Sequence, residues 1–367
     1  MDMASNQPDN LALTAEQLRE YSAAFNADRA NLVAANAAVS NGILQAATSY
    51  RGVRELPRTF SVELKQGSIT SQEHSGRCWM FASLNTLRYE LMHKWNLDDF
   101  EFSESYLFFY DKLEKSNFYL ENVLKTLDKT TDSRIFETVN EGPADDGGWW
   151  QMFVALVKKY GLVPKEAYPE SSNSRDSSAF EQYLNTKLRE FAAELRDAHQ
   201  AGKSVEELRS LKTGQMSVVY RICAIAMGEP PASFDLLLRV KDEGKDDAKA
   251  SESGTKSGID SRRQIVEHGI TPQEFYAKYV GEDLDDFVSL TNSPLASTPY
   301  YRRYQLAFVG NVAEGRSDGL HQRAARRVPQ GRRRPADRRP PNLVRLRLRA
   351  VLTAQGWHLR SWHRARG

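Results

Sequence analysis

Apolar residues recur three and four positions apart along much of the chain, which is the spacing of one face of an α-helix. The clearest run follows a pair of glycines and consists of Trp149, Met152, Phe153, Leu156, Val157 and Tyr160. Gly161 comes directly after this run and Pro164 three residues later, and both residue types are common at helix ends. The pattern therefore predicts an amphipathic helix over residues 149–160.

Further helices are predicted from spacing and from capping residues. Thr14 with Gln17, and Thr271 with Glu274, have the form of capping boxes at helix starts. Other helical patterns cover residues 78–95, 103–113 and 184–195. Strand signals are scarce, since only residues 59–65 alternate in the way of a half-buried strand. Residues 241–260 are charged and aperiodic, which predicts an exposed loop in a helix-rich body.

Charge is distributed unevenly along the chain. The net charge is +2, yet residues 313–367 contain 15 Arg, no Lys and 3 acidic residues, a net charge of +12. Residues 1–312 therefore carry a net charge of −10. We predict two parts, a folded body at 1–312 and a separate, disordered or frameshifted tail at 313–367.

The basic tail has two interpretations. It contains no Ile, Met, Phe, Tyr or Cys, whereas the body uses Lys, Phe and Tyr freely. Such an abrupt change is typical of a GC-rich gene read out of frame, and it predicts a frameshift near residues 312–315. The alternative is a genuine basic arm, in which arginines such as those at 332–334 neutralise nucleic-acid phosphates and the protein binds nucleic acid without catalysis.

The remaining composition indicates a soluble protein. Hydrophobic residues make up 40% of the chain and charged residues 27%, and no apolar run approaches the length of about 18 residues that spans a membrane. The first residues lack the pattern of an export signal. The only cysteines are Cys78 and Cys223, so no disulfide framework is expected. We expect a cytoplasmic protein without a cofactor or bound metal, in which Cys223 belongs to the core.

Cys78 is the candidate for chemistry. It follows a Gly-containing loop and begins a predicted helix, where the positive end of the helix favours the nucleophilic thiolate. Gln72 can fold back so that its amide lies beside the Cys78 backbone N–H, and two such donors form an oxyanion hole. The alternative is that Cys78 is a buried structural residue and Gln72 a surface amide.

Several motifs resemble the bleomycin hydrolase and aminopeptidase C family of papain-like cysteine peptidases. They are SGRCWMFA at 75–82, SESYL at 103–107, DGGW at 146–149, KYGLVP at 159–164 and LDDFVSL at 284–290. They occur in the family's order, and the resemblance extends over residues 13–312. It implies an α+β papain-like fold, with the helical domain largely present and the β-rich domain incomplete.

The resemblance also implies a function. Members of the family are thiol aminopeptidases that hydrolyse N-terminal peptide bonds and, as a side activity, bleomycin amides. By this resemblance Cys78 forms a thioester with the peptide substrate, and Gln72 lies in the oxyanion hole. Gly147, Gly148 and Trp149 would line the substrate cleft, where glycines let the substrate backbone approach closely. The family assembles as a homohexamer that encloses its active sites.

The catalytic His and Asn of the family fall late in the chain, in the region that the basic tail occupies. Candidates by residue type are His321, His358, His363 and Asn342, but none has the family's sequence surroundings. We interpret the earlier histidines as solvated or packed residues, namely His74, His93, His199 and His268. A nucleophile without its base is not activated, so we predict that the chain as written is inactive.

Overall fold

The computed structural model describes residues 12–56, 58–59, 64, 67–241 and 263–287, with shorter stretches at 289–291, 296, 299, 302–305, 309–312 and 319–322. The chain divides into two compact units, Met1–Lys65 and Gln66–Gly367. Most of the predicted strand at 59–65, of the predicted loop at 241–260 and of the basic tail lies outside the described residues. The boundary at residue 312 therefore stays a prediction.

The first unit consists of helices. They are α1 Ala15–Ala27, α2 Arg29–Asn41, α3 Ile43–Ala46 and α4 Tyr50–Arg54. The predicted capping box is confirmed, because the Gln17 N–H donates to Thr14 Oγ1 at 3.1 Å and the Thr14 N–H donates to Gln17 Oε1 at 2.8 Å. No residue of these helices is buried, so the hydrophobic core lies in the second unit.

The second unit contains the remaining helices that the structure describes. They are α5 Cys78–Trp95, α6 Glu104–Lys125, α7 Arg134–Asn140, α8 Trp150–Tyr160, α9 Ser172–Arg175, α10 Ser178–Gln200, α11 Val205–Met227 and α12 Pro272–Phe275. Every helix predicted in this region from spacing is confirmed, and α5 and α8 begin within one residue of the predicted start. The helix α11 was missed, although Ser204 and Glu207 form a capping box at its start.

Helix α6 lies at the centre of the second unit and packs against α5, α8, α10 and α11. Its side chains Leu107, Phe109 and Leu120 are completely buried, in one core cluster with Met80 of α5 and Phe153 of α8. Burying a large apolar side chain contributes about 2 kcal/mol, so this cluster fixes α5 and α8 against α6. The first residues of α5 and α8, which carry the predicted site, are therefore positioned by a rigid core.

Capping residues mark the ends of these helices. Ser103 Oγ accepts from the Tyr106 N–H at 3.0 Å and starts α6. Gly161 ends α8 with φ at 73°, as its position in the sequence predicted. Thr271 and Glu274 form the predicted capping box of α12, which continues as a π-helix at Tyr276–Val280 and is followed by a short 3₁₀ turn at Leu284–Asp286.

The strands form two small sheets. β1 Phe234–Arg239 pairs antiparallel with β2 Gln264–Ile270, and buried residues alternate with exposed ones along β1. β3 Ser289–Thr291, β4 Arg303–Gln305 and β5 Gly319–Gln322 form the second sheet, with β5 in the middle, parallel to β3 and antiparallel to β4. The predicted α+β class is confirmed. In the part of the chain that the structure describes, no helix has the length and apolarity to cross a membrane.

Candidate active site

Cys78 is the first residue of α5, and its side chain is exposed. The residues that follow it, Trp79 and Met80, are 3% and 0% exposed, so the helix is anchored in the core immediately behind the thiol. The interpretation of Cys78 as a buried structural residue is therefore wrong. Backbone N–H groups in the first turn of a helix have no intrahelical partner, which makes the surroundings of the thiol suitable for a developing negative charge. The other cysteine, Cys223, is buried as predicted.

Gln72 lies on the same loop as the nucleophile and folds back onto it. Its side-chain Nε2 donates to the Ser75 carbonyl at 2.7 Å, while the Ser75 hydroxyl donates to the Gln72 carbonyl at 2.7 Å. A glutamine amide has two N–H donors, so one of them remains beyond the bond to Ser75. The role of Gln72 in an oxyanion hole stays a prediction, since this bond holds the amide within its own loop.

The predicted glycine pair adjoins the nucleophile loop. The Gly147 N–H donates to the Gly76 carbonyl at 3.2 Å, and the Gly76 N–H donates to Asp146 Oδ2 at 2.5 Å. Gly147 has φ at 95°, a conformation in which a side chain is strained. The structure thus brings one of the predicted substrate-binding residues, Gly147, into a hydrogen bond with the loop that precedes Cys78.

Gly148 and Trp149 complete this segment. A Cβ atom on Gly148 would lie 2.6 Å from a ring atom of Trp79, the residue after the nucleophile, so only glycine fits. Trp149 is extended and directly precedes α8, and its indole Nε1 is buried without a hydrogen-bond partner among the described residues. The segment therefore packs closely against the start of α5.

A cavity opens beside the same segment. Its volume is about 780 Å³, and its walls include Gly147, Gly148 and Trp149 together with side chains of α6 and α7, among them Phe118 and Ile135. The walls are mainly apolar, which is typical of sites that bind an apolar group. The sequence patterns did not predict this cavity, because α7 is short and was not recognised.

Arg77 is a buried residue of the site that the sequence analysis missed. Its side chain is 1% exposed and its Nη1 lies 2.8 Å from Glu170 Oε1, while its Nε donates to Ser75 Oγ at 2.8 Å. The guanidinium also lies over the rings of Phe81 and Phe108, 5.1 and 5.3 Å from their centroids. Arg77 directly precedes Cys78, so these contacts fix the backbone next to the nucleophile.

Buried charges lie around Asp146. Lys112 of α6 is completely buried, and its Nζ bonds to Glu181 and, at 2.8 Å, to Asp146 Oδ1. Burial alone raises the pKa of the Asp146 carboxyl, but the hydrogen bond with Glu181 and the charge of Lys112 outweigh it and hold that pKa well below its usual range. Burial, together with the hydrogen bond to Asp146, raises the pKa of Glu181 to about 8. At neutral pH the ionised Asp146 and a protonated Glu181 therefore share Lys112.

The candidate base residues are only partly covered by the structure. His321 lies in β5, where its neighbours across the sheet are Leu290 and Arg303. His358, His363 and Asn342 lie outside the described residues. His74 and His199 are exposed, His93 Nδ1 lies 2.8 Å from the Tyr89 carbonyl, and His268 pairs with Asp235 at 3.1 Å. Among the described residues, no group of three or more His, Cys, Asp or Glu is arranged to hold a metal ion.

Glu104, in the first turn of α6, predicts a dependence of stability on pH. The residue is 1% exposed and its Oε2 has no hydrogen-bond partner among the described residues, and burial raises its pKa to about 8. Because this pKa lies above that of the unfolded chain, the stabilisation from the protonated form is complete below about pH 4.5 and is lost as the pH rises towards 8. We expect Glu104→Gln to remove this loss.

The measurement is urea unfolding of both proteins at pH 6 and pH 9. Between these values the wild type is expected to lose about 2 kcal/mol more of its free energy of unfolding than Glu104→Gln does. Other titrating groups are common to both proteins and cancel in the comparison. Equal losses in the two proteins would show that Glu104 is ionised at neutral pH in the folded chain.

The sequence of this chain is similar to those of known peptidases. The sequence model of the Peptidase C1-like family matches residues 12–323. Aminopeptidase C of Lactobacillus delbrueckii subsp. lactis is 42% identical over 284 residues, which are 77% of this chain and 59% of that protein. Aminopeptidase E of Lactobacillus helveticus is 41% identical over 302 residues, which are 82% of this chain and 64% of that protein.

A solved structure is similar as well. The crystal structure of PepW from Lactobacillus rhamnosis HN001 superposes with a TM-score of 0.76 and 36% identity, covering 86% of this chain and 66% of that one. The chain thus spans about three-fifths of the length of the curated relatives that it matches.

Proposed function

Because the chain belongs to the Peptidase C1-like family, we propose that it is by descent a cysteine aminopeptidase that cleaves N-terminal peptide bonds through a thioester on Cys78. The observation that carries the proposal is the exposed thiol at the first residue of α5, directly after a loop that is hydrogen-bonded to Gly147. Two of the relatives are named aminopeptidases C and E, which supports the aminopeptidase class.

The proposed acylation step uses the start of α5. The Cys78 sulfur attacks the carbonyl carbon of the substrate, a sulfur–carbon bond forms, and the negative charge moves to the carbonyl oxygen. The Cys78 backbone N–H and the Gln72 amide would donate to that oxygen. The carbon–nitrogen bond then breaks, and the departing amine takes up the proton that the thiol has lost. Relay of this proton requires a base such as histidine.

The substrate would lie along Gly147 and Gly148. The missing side chain of Gly147 would allow a peptide backbone to approach, while that of Gly148 allows the segment to pack against Trp79. The cavity beside Trp149 would then hold an apolar side chain of the substrate, because its walls are mainly apolar. We propose peptides as the substrates for this reason. Two unpaired cysteines suit a reducing compartment, and we propose a cytoplasmic location.

No catalytic base can be assigned from sequence motifs among the 367 residues. None of His321, His358, His363 and Asn342 has the sequence surroundings that the family's catalytic residues have. We therefore propose that the chain as written reacts at Cys78 with thiol reagents but does not turn peptides over. Thiol alkylation needs only the thiolate, whereas turnover needs a base that shuttles protons.

Alkylation by a peptidyl epoxide tests the site. We expect one equivalent of the reagent on Cys78 at pH 7.5 and none on Cys223, because burial raises the pKa of the Cys223 thiol to about 12. Mass spectrometry of the digested protein identifies the modified residue. Cys223→Ser is the matched control and should leave the labelling unchanged, while Cys78→Ser should abolish it.

Three results would each contradict part of the proposal. Absence of labelling on Cys78, with the protein folded, would show that no cysteine site exists at the start of α5. Hydrolysis of an aminoacyl coumarin amide that survives Cys78→Ala would assign any activity to another residue. Hydrolysis that is lost in Cys78→Ala would instead show that the chain contains a working base.

A further inference from the structure

A single carboxylate joins the nucleophile loop to the glycine pair. Asp146 Oδ2 accepts from the Gly76 N–H at 2.5 Å, and the next residue, Gly147, returns a hydrogen bond from its N–H to the Gly76 carbonyl at 3.2 Å. Gly76 therefore uses both of its backbone groups on this segment. Since Gly76 comes two residues before Cys78, the position of the segment with Asp146 and Gly147 determines where the backbone before the nucleophile lies.

Asp146 is itself fixed by residues from two helices and a loop. Its Oδ1 lies 2.8 Å from Nζ of Lys112, a lysine without any exposed surface, and its Oδ2 also accepts from Ser177 Oγ at 2.6 Å. The Lys112 ammonium donates in addition to the Ala144 carbonyl at 2.7 Å and to Glu181. A buried ammonium needs such partners, so the carboxylate cannot leave Lys112 without a large cost in free energy.

A second lysine on the same face of α6 holds the other end of the segment. Lys115 Nζ donates to the Gly147 carbonyl and to the Asp145 carbonyl, each at 2.7 Å, and pairs with Asp111 at 2.8 Å. Residues three apart on a helix are neighbours, so Lys112 and Lys115 act on adjacent points of one segment. Residues 144–147 are thereby bound to the rigid central helix at both ends.

We propose that Asp146, supported by Lys112, is a positioning residue that sets the place of Cys78 relative to Gly147 and Gly148. The inference rests on the proposed function, since it concerns the approach of a peptide to the nucleophile. Displacement of a reacting group by about 1 Å is enough to slow a reaction by about a hundredfold. Asp146 touches no reacting atom and acts through the Gly76 backbone.

The experiment compares two thiol reagents on Asp146→Ala. Iodoacetamide needs only an accessible thiol, whereas a peptidyl epoxide must also lie along Gly147 and Gly148. We expect Asp146→Ala to lower the rate of epoxide labelling, relative to that of iodoacetamide, by about tenfold or more. Asp146→Asn keeps an acceptor for the Gly76 N–H and should show an intermediate ratio.

Glu121→Ala is the matched control. The Glu121 side chain is 16% exposed against 15% for Asp146, and it too pairs with a mostly buried lysine, Lys212, but away from the nucleophile loop. Both variants should lower the urea midpoint, whereas only Asp146→Ala should change the ratio of the two labelling rates. An unchanged ratio in Asp146→Ala would overturn the inference, whatever the loss of stability.

Amide hydrogen exchange separates this inference from the proposed function. If the wild type is labelled by neither reagent, the proposed function fails. The effect of the hydrogen bond between the Gly76 N–H and Asp146 can still be measured. We expect the Gly76 amide to exchange about tenfold faster in Asp146→Ala than in the wild type. The exchange rate in Asp146→Asn should lie between those of Asp146→Ala and the wild type. Exchange at the wild-type rate in Asp146→Ala would overturn the positioning role.

Discussion

Replacement of Gly161 by alanine is expected to lower the free energy of unfolding by about 4 kcal/mol. Gly161 ends α8 with φ at 73° and ψ at −156°, a region of backbone conformation that is almost restricted to glycine. A Cβ at this position would also lie 2.3 Å from the carbonyl carbon of Pro272 and 2.5 Å from the backbone nitrogen of Gln273. Since both contacts are with backbone atoms, the junction of α8 and α12 must move.

Gly228→Ala separates the two causes. Gly228 ends α11 with φ at 86° and ψ at 166°, and its N–H bonds to the Ala224 carbonyl at 2.9 Å, much as the Gly161 N–H bonds to the Val157 carbonyl at 2.8 Å. Among the described residues, no atom beyond its chain neighbours and its own helix lies within 4 Å of a Cβ on Gly228, so alanine there adds conformational strain alone, about 2 kcal/mol. Urea unfolding of both variants measures the difference. Equal losses would show that the contact with Pro272 relaxes without cost.

The end of α8 shows how much of the fold the sequence predicts. The helix start, the apolar face and the terminal glycine all follow from residues within one segment, and so do the capping boxes at Thr14 and Thr271. The contact that makes Gly161 costly to replace comes from Pro272, more than a hundred residues later. Local patterns predict where a helix ends, but they do not contain the backbone that later packs against it.

Strand pairing was hard to predict for the same reason. Phe234, Leu236 and Leu238 alternate with exposed residues along β1, but the exposed Leu237 is apolar too, so the sequence shows this period only in part. The partner strand β2 starts only at Gln264 and is less regularly buried, so its pattern is weaker. Pairing between distant strands depends on tertiary packing, which single-segment patterns do not record.

Part of the site could be predicted from the sequence. The placement of Cys78 at a helix start follows from the local pattern, and the resemblance to a known family led to Gly147 and Gly148. Lys112 and Arg77 were missed, because charged residues are usually assigned to solvated faces. Their carboxylate partners, Asp146 and Glu170, lie 34 and 93 residues further along the chain. Long-range pairs of this kind carry no local signature.

Replacement of Arg77 by alanine is expected to lower the free energy of unfolding by about 4 kcal/mol, because it leaves the carboxylate of Glu170 without its counter-ion. The side chains of this pair are 1% and 9% exposed, so water does not replace the guanidinium. The contacts of Arg77 with Phe81 and Phe108 are lost at the same time. Since Arg77 also donates to Ser75 Oγ, epoxide labelling of Cys78 should slow as well.

Arg209→Ala is the control for this prediction, since Arg209 also pairs with a glutamate, Glu121, but is 59% exposed, and such a pair contributes less than about 1 kcal/mol. The double variant Arg77→Ala with Glu170→Gln removes the unpaired charge and should recover about half of the loss. A loss in Arg77→Ala no larger than that in Arg209→Ala would mean that water reaches Glu170. Recovery of the free energy of unfolding in the double variant would instead identify the unpaired, buried carboxylate of Glu170 as the cause of the loss. The pair of Arg77 and Glu170 would then be what stabilises the fold at the start of α5.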